Sequence, residues 1–120
     1  MLQQMETVLS GIDNLMPQLT LFINQFNDVV TNNDINVVTD TAGNMSIDVP
    51  KDISDEAGNK LVTRIGVIDR LISERTSNLD ELFKQGFDLE KEIKKDNAEY
   101  ASRIVEKAQA FREIKNSYKH

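Results

Sequence analysis

The chain has 120 residues, of which 39% are apolar and 6% aromatic, with no Trp, no Cys and a net charge of −6. That length suits a single domain, and the composition suits filled seams between helices better than a large aromatic core. The missing cysteines exclude disulfides and thiolate zinc sites, and the acidic balance argues against free nucleic acid as a ligand. No basic-flanked apolar leader opens the chain and no run approaches about 18 apolar residues, so the expectation is an intracellular protein without a membrane span. The charge is uneven. Residues 1–60 carry nine acids against Lys51 and Lys60, whereas residues 61–120 carry twelve Lys and Arg against eleven acids, as if two segments had different roles.

Residues 1–31 read as an amphipathic helix. Alternating steps of three and four residues meet Leu2, Met5, Leu9, Ile12, Met16, Leu19, Ile23, Phe26 and Val30, all apolar over four heptads. Such a 3.5-residue repeat holds one stripe against a neighbouring helix. Val8, Leu15, Leu21, Phe22 and Val29 widen the stripe and imply contact with more than one helix. Pro17 predicts a kink, or a helix ending at Leu15 with a new one starting there, because proline deletes a helical hydrogen bond.

Residues 32–52 form a polar linker in which two alternating runs flank Thr41-Ala42-Gly43, the pattern of either a small β-hairpin or a loop. Residues 53–118 return to helical periodicity, with Asp52 or Ser54 as the cap. The segment reads as one long helix, or as two with the polar run Ser73–Asn78 as the break between them, and the spacing change from Ile93 to Tyr100 through Asn97 reads as a stutter. The fold class expected is all-α: long helices forming a coiled-coil hairpin or part of a multi-chain helical bundle, with a loop or small hairpin between them.

Nothing in the residues points to catalysis. The one histidine is His120, the serines have no neighbouring base, and the glycines form no phosphate cradle. Asp88, Glu90, Glu92, Asp96 and Glu99 imitate a carboxylate metal set but lack the histidine that a bundle site would add, so they read as a solvated face. No enzyme activity, cofactor or metal is expected.

The first stripe spans about 45 Å, roughly half of a continuous second element. On that reckoning the chain from Phe87 onward lacks an intrachain partner, and its apolar residues need another polypeptide. The expected partner interface comprises Leu9, Ile12, Met16, Leu19, Ile23, Phe26, Val30, Ile65, Ile68, Ile72, Leu82, Leu89, Ile93, Tyr100, Ile104 and Phe111. The function this implies is a non-catalytic scaffold or assembly subunit with protein partners, as a hetero- or homo-oligomer. A homo-oligomeric adaptor or secretion-linked chaperone of bacterial or phage origin fits the same pattern, as does a kinetochore or vesicle-tethering coiled-coil subunit.

Asn14-Leu15-Met16-Pro17-Gln18-Leu19, the segment Arg64–Glu74 (RIGVIDRLISE) and the coil Leu79–Tyr100 together resemble the family of Mediator middle-module subunit nine, and other small coiled-coil Mediator subunits share the look. The resemblance covers most of the chain. It implies a nuclear scaffold subunit of the transcriptional coactivator, paired with another Mediator subunit in a helical bundle.

Overall fold

The computed structural model describes residues 2–93 and 98–118, the side chain of Tyr100 excepted. Helices α1 (Leu2–Asn32), α2 (Asp55–Ile93) and α3 (Ala98–Asn116) account for most of them, and strands β1 (Asn36–Thr39) and β2 (Met45–Asp48) lie between α1 and α2. The bundle measures 62 × 26 × 17 Å, close to the length of about 58 Å that 39 helical residues require.

In α1 the residues buried are Met5, Val8, Leu9, Ile12, Leu19, Ile23, Phe26 and Val29. The helix continues through Pro17, so the restart after Leu15 does not occur. Pro17 is exposed, which leaves room for its ring, while the buried stripe on both sides holds the helix together. After Asn32 the chain leaves the helix through a left-handed residue, Asp34, at φ 51°. The Ile35 amide then donates to the Val30 carbonyl at 3.1 Å, the six-to-one bond of a Schellman motif, and Ile35 buries itself in the core.

The two alternating runs pair antiparallel, with Val37 opposite Ile47 and Thr39 opposite Met45. Asp40 organises the turn: its Oδ1 accepts from the amides of Ala42 (2.9 Å) and Asn44 (2.8 Å), and Gly43 takes φ 87°. Such side-chain acceptance within a turn is what Asp offers that an apolar residue cannot. A two-stranded sheet alone is marginal in water. Here Val37, Met45 and Ile47 lean on the helical core and supply the missing support.

Ser54 caps α2, its Oγ accepting from the Ala57 amide at 3.1 Å, with Asp55 and Glu56 in the first turn. The helix then runs unbroken to Ile93, so of the two alternatives the break at Ser73–Asn78 does not occur. The reason is that the apolar row persists on both sides of the polar run, Ile65 and Ile72 being followed by Leu79, all buried. Between them Arg75 reaches back to α1 instead of terminating the helix. The stutter expected at Asn97 falls outside the described residues.

The largest departure from expectation is at the C-terminal end. The chain from Phe87 onward does not lack an intrachain partner, because α3 turns back and runs beside α1 and α2. Ala101, Ile104 and Phe111 are buried against them, and Ile93 is 2% exposed. Phe111 stacks on Phe83 with centroids 5.0 Å apart. The Lys107 ammonium pairs with Asp13, the Asn27 amide donates to the Ser117 carbonyl at 2.8 Å, and the Tyr118 hydroxyl donates to Asp69. Gly86 permits the close approach: a Cβ there would lie 2.6 Å from Ile104 Cδ1 and 3.3 Å from Val8 Cγ1. The result is a three-helix bundle in which α3 runs parallel to α1.

Candidate docking face

The residues expected to meet another chain mostly meet each other. Leu9, Ile12, Leu19, Ile23, Phe26, Ile65, Ile68, Ile72, Ile93, Ile104 and Phe111 are all buried in this chain's own core. Met16, Val30, Leu82 and Leu89 are half-buried around it, and the side chain of Tyr100 lies outside those described. The buried members of that set belong to this chain's own core, for a simple reason: the third helix that the stripe required is supplied by the same polypeptide.

One lengthwise face is left over. On α2, Asp69, Ser73, Thr76 and Asp80 flank α3: Asp69 accepts from Tyr118, and the other three line a groove with Lys115 and Tyr118. Two residues further along, at about 200° around the helix, lies a second row: Leu71, Arg75, Asn78, Leu82 and Leu89. On α1 the same offset separates Asp13 and Asn27, which hold α3, from Leu15 and Phe22. The two rows meet, since Leu82 Cδ1 comes within 3.2 Å of the position a Cβ on Gly11 would take, and Arg75 bridges to Gln18. The face is therefore built by both long helices and is turned away from α3. Leu15, Phe22, Leu71, Leu82 and Leu89 are half-buried along it. At one end it opens into a groove bounded by Gln4, Thr7 and Val8 of α1 and by Gln85, Asp88 and Leu89 of α2.

Its electrostatics differ from those of the molecule. On α1 the row is uncharged, reading Gln4, Thr7, Gly11, Asn14, Gln18 and Gln25 between the apolar positions. On α2 the row from Arg64 to Leu82 carries two guanidiniums and no carboxylate, in a chain of net charge −6. Glu74 stands on the neighbouring row, and Asp88 at the far end of the groove. Loss of charge around aromatic and aliphatic side chains is the compositional mark that separates an interface core from ordinary surface.

Arg75 is the polar centre of the face. Its Nε donates to Gln18 Oε1 at 2.9 Å, its guanidinium lies 5.5 Å from the Phe22 ring centroid, and Nη1 is 3.6 Å from Glu74 Oε2. The side chain retains 25% of its exposure. Hydrogen bonding and ring stacking fix the planar fork in place, which a lysine would not achieve.

Sequence periodicity picks out Leu15 and Phe22 as extra apolar positions but not Leu71, and it meets Arg75 only as an interruption of the second stripe. The signal that could have found them was the matching charge-free row of α1, displaced by two residues from the main stripe. Among the described residues no three His, Asp or Glu side chains gather as a metal site, and no helix is long and apolar enough to cross a membrane. His120 and Asp96 lie outside the described residues. No protein-family model, curated protein or solved structure matches the chain.

Proposed function

We propose that this protein is a non-catalytic helical assembly subunit that seats a helix of another polypeptide on the open α1/α2 face. One observation carries the reading: a lengthwise apolar face with few charges, made by the two longest helices and left uncovered by the third. A helix laid on it would add a fourth member to the bundle and cover Leu15, Phe22, Leu71 and Leu82 together, the helix-in-groove mode of recognition. In its finer form, the resemblance at Asn14–Leu19 and Arg64–Glu74 supports a place in the nuclear coactivator Mediator, where the seated helix would belong to another subunit of that complex. A kinetochore or vesicle-tethering complex would use the same seat.

The alternative is a homo-oligomeric adaptor, in which a second copy occupies the face. Sedimentation at rising concentration separates the two. The decisive experiment is affinity purification from the native cell, comparing the wild-type chain with a Leu15→Asp/Leu71→Asp variant whose helicity is checked by circular dichroism. The reading expects a stoichiometric polypeptide that cross-links to the α1/α2 face and is lost from the folded variant. Equal recovery on both proteins, or no stoichiometric partner on either, overturns it.

A further inference from the structure

From the fixed guanidinium in the middle of this face, we infer that the docked helix belongs to a different protein and presents a carboxylate to Arg75. The inference rests on the docking reading above and adds the chemistry of the occupant. A helix covering Leu15, Phe22 and Leu82 also covers Arg75, which sits between them on the same rows. Taking a guanidinium out of water is costly unless its N–H groups find acceptors in the new surroundings. The acceptors within this chain are already committed or out of reach. Gln18 takes only the Nε proton, and the Glu74 carboxylate pairs with Nη1 at 3.6 Å, beyond hydrogen-bonding distance. The outer edge of the fork is thus the part that an incoming helix must satisfy, and a planar guanidinium is best satisfied by a carboxylate through two parallel hydrogen bonds.

The same accounting argues against a second copy of this chain. A copy presenting its own face would bring an uncharged α1 row and an α2 row holding Arg64 and Arg75, with no carboxylate between Arg64 and Leu82 to place opposite the first Arg75. Along these rows the charges are guanidiniums alone, Glu74 being paired with its own Arg75 and Asp88 standing at the far end of the groove. An amphipathic helix with Leu or Met along its seam and an Asp or Glu at mid-length meets both needs, and Arg64, eleven residues before Arg75 on the same row, favours a second acid three turns away on that partner.

The test uses the full chain and two synthetic helical peptides of 21 residues, with leucine at the heptad seam positions, that differ only in a central Glu or Lys. Binding is read by fluorescence anisotropy and located by amide shifts of the labelled protein. The expected result is about ten-fold tighter binding of the Glu peptide, a ratio equivalent to one charge-assisted contact, with shifts centred on Leu15, Phe22 and Leu82. Arg75→Glu should reverse the order, and Arg75→Gln should erase the preference while leaving the helical content unchanged. Equal binding of both peptides at this face, unmoved by either substitution, overturns the carboxylate inference while the docking reading stands. Failure of both peptides to bind overturns the inference too, and the native purification then decides the docking reading by itself. A dimer of the chain that forms through this face without peptide also overturns the inference.

Discussion

The Tyr118 hydroxyl donates to the Asp69 carboxylate, and its ring meets Phe26 edge-on with centroids 4.6 Å apart. One side chain after the end of α3 thereby grips both long helices. Burial, followed by the hydrogen bond to Asp69 and the Asp69 charge, pushes the Tyr118 phenol well above its ordinary value of 10.0. A group whose folded-state pKa is raised stabilises the fold fully below its unfolded pKa and loses that contribution as pH climbs toward the folded value. Stability should therefore be insensitive to this phenol at neutral pH and fall above about pH 10. Tyr118→Phe should cost about 1 kcal/mol at pH 7 and remove that part of the alkaline loss, as read by urea unfolding across pH. An unchanged alkaline limb in the variant would refute the clasp.

Gly86 should resist even a methyl group. Alanine gains about 1 kcal/mol in helix propensity, but overpacking against the fully buried Ile104 costs about 1–3 kcal/mol. Gly86→Ala is expected to lower the melting temperature. Adding Ile104→Val, which removes the Cδ1 atom, should recover part of the loss, although the same change alone costs about 0.5–1.5 kcal/mol. A double-mutant cycle in calorimetry measures the coupling, and strict additivity would contradict the contact.

Neighbouring positions on α2 should respond to charge very differently. Ile72 is 3% exposed in the core, whereas Leu71 is half-buried on the open face. Ile72→Lys should destabilise by at least about 3 kcal/mol, because it loses an apolar side chain and strands an ammonium in the core. Leu71→Lys should cost about 1 kcal/mol, since the lysine stem covers the same surface and its head reaches water. Thermal melts of the two variants test the claim. Comparable losses would mean that the face is closed.

Asp34 holds a left-handed conformation that glycine adopts without steric cost. Asp34→Gly should stabilise the chain by about 0.5–1 kcal/mol, visible as a higher urea midpoint at constant slope. A lower midpoint would assign the aspartate a role that its backbone geometry does not explain.

Much of the architecture was legible in the residues. The heptads of α1, the cap at Ser54 and the alternation around Asp40–Asn44 each carry a local signal strong enough to survive into the fold. What the residues did not announce was the course of the chain after Ile93. A stripe of Leu89, Ile93, Ile104 and Phe111 states that these side chains must be covered, but periodicity is blind to whether the cover belongs to the same molecule. The polar run Ser73–Asn78 misled for a related reason. Arg75 looks like an interruption by composition, and only its reach to Gln18 and Phe22 on another helix shows that the bundle accommodates it. Replacing Ile93 and Ile104 together with Asp, which on the sequence alone should dissociate a partner, is now expected to unfold the chain itself. The candidate face was half-visible as surplus apolar residues on α1, while its α2 half emerged only once Arg75 was placed.

The order of helices along the chain has a consequence during synthesis. The contact of α1 with Arg75 spans 57 residues, and its tie to Lys107 spans 94. At about 5–20 residues per second a ribosome needs several seconds to deliver those counterparts, while α2 and α3 meet soon after both emerge. The oily side of α1 is thus made before either of the helices that cover it, and in that interval it stands open to a chaperone.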